Sequence, residues 1–190
     1  MGHSGGDYTL NYKNIMFTLD KHNSKYEVNL QRSSLLNLQN NTQFTLSFWY
    51  NIITLNTNHS IISKGNTNGL FINITDENKL QIILKGSNTD ETSITTNNII
   101  TETGWNHFSI TYNGNSNASG IKLYINSVVY PRYAINNNLS NTISNNIPFQ
   151  FNNTNDLTDN ICNVSMYNLL LTHNDVIDMY NSSKQHYGRI

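Results

Sequence analysis

Apolar residues recur at every second position through most of this chain. Phe44, Leu46, Phe48 and Tyr50 alternate with Thr45, Ser47 and Trp49. Phe108, Ile110 and Tyr112 repeat the pattern, as do Ile121, Leu123 and Ile125 on the return. A period of two places successive side chains on opposite faces, so each run is a strand with one buried face. Between the last two runs lies Asn113-Gly114-Asn115-Ser116-Asn117-Ala118-Ser119-Gly120, rich in residues that tolerate turns. The stretch from Gly104 to Asn126 is therefore expected to form a long hairpin deep in an all-β domain.

The same reading gives further strands at 14–19, 25–30, 59–65, 91–95, 128–130, 148–151 and 160–168, and a hairpin formed by 69–74 and 79–84. A connection from Gln31 to Gln43 is tucked down by Leu35, Leu36 and Leu38, and residues 132–146 read as polar loop. In the last strand Ile161, Asn163, Ser165 and Tyr167 alternate with Cys162, Val164, Met166 and Asn168. One helix follows. Thr172 is placed to cap it, with Asp175 three residues on and Leu171 and Val176 spaced for a hydrophobic staple. The organisation expected is a flexible arm over 1–13, one domain over 14–182 and a loose tail over 183–190. Many short strands with one late helix imply two packed antiparallel sheets. An immunoglobulin sandwich is disfavoured, because the chain is long for one and lacks the Cys…Trp…Cys spacing.

Composition narrows the classes. Charged residues are 12% of the 190 and the net charge is -1. No cluster of Lys and Arg offers a nucleic-acid footprint. Asn makes up about a fifth of the chain, far above ordinary usage. With strands running nearly end to end, this reads as Asn on the surface of a folded protein rather than a prion-like tract. The eight Asn-x-Ser/Thr sequons, at Asn40, Asn58, Asn73, Asn117, Asn138, Asn152, Asn163 and Asn181, are what such a composition produces by chance. Cys162 stands alone and reads as a small buried side chain. Neither a signal peptide nor a membrane-spanning run is present, so no membrane insertion is expected. A cell-surface or virion location stays open.

The order of pieces resembles the laminin-G-like, concanavalin A-like lectin/glucanase family of jelly rolls. The carriers are Phe17-Thr18-Leu19-Asp20, Tyr26-Glu27-Val28, Phe44 to Trp49, Ile61-Ile62-Ser63-Lys64-Gly65, Gly104-Trp105-Asn106-His107-Phe108 through Tyr112-Asn113-Gly114, Leu123-Tyr124-Ile125-Asn126, Ile161 to Tyr167, and the terminal helix. The resemblance implies a two-sheet antiparallel jelly-roll sandwich with one short C-terminal helix. The chain also resembles the jelly-roll half of clostridial neurotoxin binding regions, with no counterpart of the β-trefoil half, so no toxin function is expected from it. It departs from the family at Asn126-Ser127, where Asp-Gly is common, and at Asp159 and Cys162.

Glucanases on this fold use carboxylates two residues apart on one strand, which flank the scissile bond. Here Asp76-Glu77 and Asp90-Glu91 are adjacent instead, so on a strand they face opposite ways. No enzyme is expected, and His107 reads as a hydrogen-bonded structural histidine. Scattered histidines give no zinc site. Calcium is left open, with Asp20, Asp156 and Asp159 as candidate oxygens; no other cofactor is implied. A sugar site pairs an aromatic platform with amide and carboxylate groups. Trp49, on the polar face of its strand, is one candidate platform. Tyr124, flanked by Lys122 and Asn126, is the other. The alternative for both is a ring covered by loops or by the terminal helix. The expected role is a non-enzymatic module that recognises a glycan or protein surface. The alternative is a structural subunit of a larger assembly, such as a virion or surface layer.

Overall fold

In the computed structural model, which describes residues 15–19, 26–28, 38–151 and 160–189, the alternation becomes thirteen strands and one α-helix. They are β1 (Ile15–Leu19), β2 (Tyr26–Val28), β3 (Phe44–Ile52), β4 (His59–Lys64), β5 (Gly69–Ile74), β6 (Leu80–Ser87) and β7 (Asp90–Thr96). Then come β8 (Gly104–Tyr112), β9 (Ile121–Ile125), β10 (Val128–Val129), β11 (Arg132–Asn137), β12 (Phe149–Phe151), β13 (Asn160–Tyr167) and helix α1 (His173–Ser183). The arm expected over 1–13, Leu35 and Leu36, and Asp20, Asp156 and Asp159 lie outside the described residues.

Two antiparallel sheets form a sandwich. A six-stranded sheet runs β1-β13-β3-β8-β9-β10, and a seven-stranded sheet runs β11-β7-β6-β5-β4-β12-β2. Phe44, Leu46, Phe48 and Tyr50 from one sheet and Leu70, Ile72, Ile82 and Leu84 from the other belong to one buried cluster. Each such side chain, fully withdrawn from water, contributes about 1.5–3 kcal/mol. Rings pair across β3 and β8: Phe48 stacks on Phe108 at 5.5 Å, and Phe44 meets Tyr112 at 5.5 Å. The β8–β9 hairpin is as expected, with a 3-10 turn at Ala118–Gly120 in its loop.

The Ile61-to-Gly65 motif sets a tight corner. Gly65 and Gly69 have φ of 127° and 139°, and a Cβ on either would fall within 2 Å of backbone oxygen, at 1.8 Å and 1.7 Å. Only glycine fits there. Beside them the buried Lys64 ammonium donates to the carbonyls of Asn145 (3.0 Å) and Ile147 (2.9 Å), pinning the 144–147 segment. Burial holds its pKa below the usual lysine value.

Three expectations are corrected. First, residues 132–137 are not loop; they form β11, paired with β7. Second, β13 does not alternate throughout. Its register slips between Cys162 and Ser165, and Asn163 has φ of 49°. One extra residue reverses the phase, so Ile161, Val164 and Met166 all reach the core while Cys162 lies opposite Trp49. Third, the C-terminal residues are not a loose tail. A 3-10 turn at Lys184–Tyr187 follows α1, and Arg189 donates to Trp105 O (2.7 Å) and Asn106 Oδ1 (2.9 Å) and pairs with Glu102 at 3.0 Å.

Candidate functional site

Of the four candidate binding residues, Trp49, Lys122 and Tyr124 lie on strands of the six-stranded sheet and Asn126 in the turn between two of them, and the structure gives them different fates. Trp49 points away from the core, as the alternation requires. Its ring is nevertheless 1% exposed. Tyr187 stacks on it at 4.2 Å and 19°, Tyr180 of α1 at 5.7 Å and 21°. Its indole N–H donates to Ser183 Oγ at 3.0 Å. The face expected to meet a sugar is thus filled by the chain's own C-terminal segment. Tyr124 is covered too, with His173 of α1 5.4 Å from its ring. Burial pushes its phenol pKa up, partly offset by a hydrogen bond with Thr111.

Asn126 has a turn role. It and Ser127 have φ of 51° and 67°, the left-handed pair that a tight two-residue hairpin needs between β9 and β10. Asn126 Oδ1 accepts from the His107 N–H at 2.9 Å and its amide donates to Asn106 Oδ1 at 2.9 Å. Of the four, only Lys122 is exposed. The structure therefore does not assemble them into one open site.

Why the segment lies where it does follows from local chemistry. Thr172 accepts from the Asp175 N–H and Asp175 reaches back to the Thr172 N–H, closing the expected capping box. Leu171 and Val176 are buried as the staple. Thr45 Oγ1 donates to Leu169 O (2.8 Å) and accepts from Leu171 N (3.0 Å), so a polar residue on the outer face anchors the approach to the helix. Ser47 shares hydrogen bonds with His107 Nε2 (2.9 Å) and Ser109 Oγ (3.0 Å). Desolvation lowers the His107 pKa to about 4, so the imidazole is neutral at pH 7. A Ser–His contact suggests a nucleophile at first sight. Here Nδ1 carries no carboxylate partner, and both residues are sealed at 3% exposure or less. An activated serine needs an oriented base and access to substrate; this pair has neither.

The outer face of the seven-stranded sheet is different. Cross-strand register sets Gln150, Ser63, Phe71, Ile83, Ser93 and Asn136 in one row. Asn73, Gln81, Thr95 and Tyr133 form the next. Lys85 stands opposite Glu91 beyond them. Phe71, Asn73, Gln81, Ile83, Lys85 and Glu91 are half-buried and in contact with solvent; Tyr133 and Asn136 are exposed. Glu91 Oε1 accepts from Ser93 Oγ at 3.1 Å and from the Asn136 amide. An aromatic ring flanked by amides and a carboxylate is thus offered to solvent. The sequence reading placed the β5–β6 hairpin but missed this face. The signal was the outward phase of the hairpin, Phe71-x-Asn73 and Gln81-x-Ile83-x-Lys85.

Asp90, the neighbour of Glu91, points inward. Burial would raise its pKa, but bonds from Ser140 N (2.5 Å), Ser140 Oγ (2.8 Å) and Asn141 N (2.9 Å) outweigh it and hold the carboxyl below its usual value. It is thus committed to the 140–141 loop. Among the described residues no three His, Cys, Asp or Glu side chains group to hold a metal. No helix among them is long and apolar enough to cross a membrane.

A sequence model described as the concanavalin A-like lectin/glucanases superfamily matches residues 22–177. No curated protein matches the chain. Among solved structures, the binding domain of Paraclostridial mosquitocidal protein 1 superposes with a TM-score of 0.66 at 18% identity, over 90% of this chain and 52% of that one. The binding domain of botulinum neurotoxin DC in complex with SialylT gives 0.62 at 21%, over 87% and 42%. The same domain in complex with rat synaptotagmin II gives 0.61 at 16%, over 90% and 52%. This chain thus spans about half the length of the solved chains it matches, and at these identities the likeness is one of fold.

Proposed function

The chain belongs to the concanavalin A-like lectin/glucanases superfamily, and from that premise we propose that it is a non-enzymatic recognition module whose outer seven-stranded face binds a glycan or protein surface. The observation that carries this reading is the contrast between the two outer faces. Trp49 is sealed beneath Tyr187, whereas Phe71 sits in solvent contact beside Asn73 and Gln81. A sugar ring needs an apolar platform for its C–H face and amide or carboxylate groups for its hydroxyls; Phe71 supplies the first, and Asn73, Gln81, Glu91 and Asn136, all in contact with solvent, supply the second. The structure described with SialylT and the one described with rat synaptotagmin II support both partner kinds, as precedents on other proteins of this fold.

The test is a glycan-array screen of the purified chain, with calcium and with chelator, on the wild type and on Phe71→Ala. Selective binding that Phe71→Ala abolishes is the expected result. Equal binding with chelator places no metal in recognition, and loss with chelator brings calcium in. Binding that survives Phe71→Ala but falls with Lys122→Ala would move the site to the other sheet. A blank array would remove the glycan half of the proposal and leave protein surfaces to be tested.

A further inference from the structure

The exposed large apolar side chains are not scattered evenly. Val128 (61% exposed), Val129 (48%), Tyr133 (47%) and Ile135 (47%) fall within eight residues of one another. They also fall at one place in the fold. β10 ends the six-stranded sheet and β11 ends the seven-stranded one, with only Tyr130 and Pro131 between them. Among the described residues, both sheets therefore end on the same side of the sandwich, and that margin is apolar.

A terminal strand leaves a row of backbone N–H and C=O groups without a ladder partner, and proteins usually blunt it with lysine, inward charges or an internal proline. β11 reads Arg132-Tyr133-Ala134-Ile135-Asn136-Asn137. It holds no Lys, Asp, Glu or Pro. Its one charge is already committed: Arg132 donates to Ile121 O and to Ser119 O (3.3 Å). The one blunting device present is a register slip between Ala134 and Asn136, which leaves Ile135 as the extra residue.

We propose that this margin is a homotypic interface, at which two copies of the chain meet with their β11 strands antiparallel about a two-fold axis between Ala134 and Ile135. The partner is a second copy because the strand complements itself. Under that symmetry Arg132 comes opposite Asn137, Tyr133 opposite Asn136, and Ala134 opposite Ile135. Along the strand no like charges meet, and the contact is isologous and closed. Val128 and Val129 extend the buried patch from the adjoining sheet edge. The pairing has a functional consequence that rests on the reading of the seven-stranded face given above. β11 borders that face, so a dimer sets two recognition faces side by side, and a repetitive ligand would be held at two points with gain in avidity.

The test is sedimentation equilibrium over a range of concentrations, for the wild type and for Val128→Lys and Ile135→Lys. Both substitutions fall on exposed positions, and circular dichroism with a thermal melt checks that each variant keeps the wild-type fold. The expected result is a mass that doubles with concentration for the wild type and stays monomeric for both variants. A wild type that is monomeric throughout, or a dimer that neither lysine disturbs, overturns the proposal. Oligomers larger than two that the lysines dissolve would overturn the closed two-fold pairing and place the edge in an open assembly. Oligomeric state is read without ligand, so it stands or falls separately from glycan recognition.

Discussion

Tyr187 lies flat on Trp49, ring centroids 4.2 Å apart and planes 19° from parallel. The same tyrosine touches Trp105 at 5.0 Å, and its hydroxyl lies 3.1 Å from Cys162 Sγ. Tyr187 thus joins Tyr180 and His173 of α1 in covering the outer face of the six-stranded sheet. Tyr187→Ala is expected to cost about 1–3 kcal/mol in denaturant melts, from lost ring packing. It should also shift tryptophan emission to longer wavelength and make the Cys162 thiol accessible to a small alkylating reagent. Unchanged emission together with an unreactive thiol would show that the segment does not act as a cover.

His107 beneath that cover gives the fold an acid sensitivity. Its folded pKa is about 4, against an unfolded value near 6.5. Between these two values the unfolded chain binds more protons than the folded one, so stability falls as pH drops from about 6.5 towards 4. The loss is of order 3 kcal/mol across that window. His107→Asn is expected to be less stable at pH 7 but to lack this slope. Urea melts at pH 7, 5.5 and 4.5 measure it; equal slopes in the two proteins would contradict a buried neutral imidazole.

The Asn126–Ser127 turn stands where the family commonly has Asp-Gly. Ser127 holds φ of 67°, a conformation that costs a serine more than a glycine. Ser127→Gly is therefore expected to stabilise by about 0.5–1 kcal/mol. Asn126→Gly keeps the backbone relaxed but removes the bonds to His107 N and Asn106 Oδ1, and should destabilise by about 1–2 kcal/mol. Thermal melts of the two variants, moving in opposite directions, check the assignment.

What the sequence made legible was whatever a period of two encodes. Phe44, Leu46, Phe48 and Tyr50 all proved fully buried or nearly so, and the Thr172–Asp175 cap formed as spaced. β11 escaped because an edge strand exposed on both faces has no alternation to read. The Asn163 bulge escaped because an extra residue changes phase without changing composition. Trp49 was assigned to the correct face, and of its two readings, an open sugar platform or a ring covered by loops or the terminal helix, the structure has the second. Thr45 and Ser47 beside it look solvent-facing, but their hydroxyls are satisfied by Leu169 O and His107. That the segment 169–189 would fold back over them is a tertiary fact, and Tyr180 and Tyr187 carry no local mark of it. Phe71 and Gln81 were legible in phase; their value became visible only once the competing face was seen to be covered.

The central claim is that recognition occurs on the outer face of the seven-stranded sheet. The most direct measurement is amide chemical-shift mapping of the labelled chain titrated with the glycan or protein fragment that binds it. The account predicts perturbations concentrated at 71–73, 81–85 and 91–95, with those at 45–49 and 173–187 unmoved. Perturbations confined to the strands and helix around Trp49, with β5–β7 silent, would contradict it.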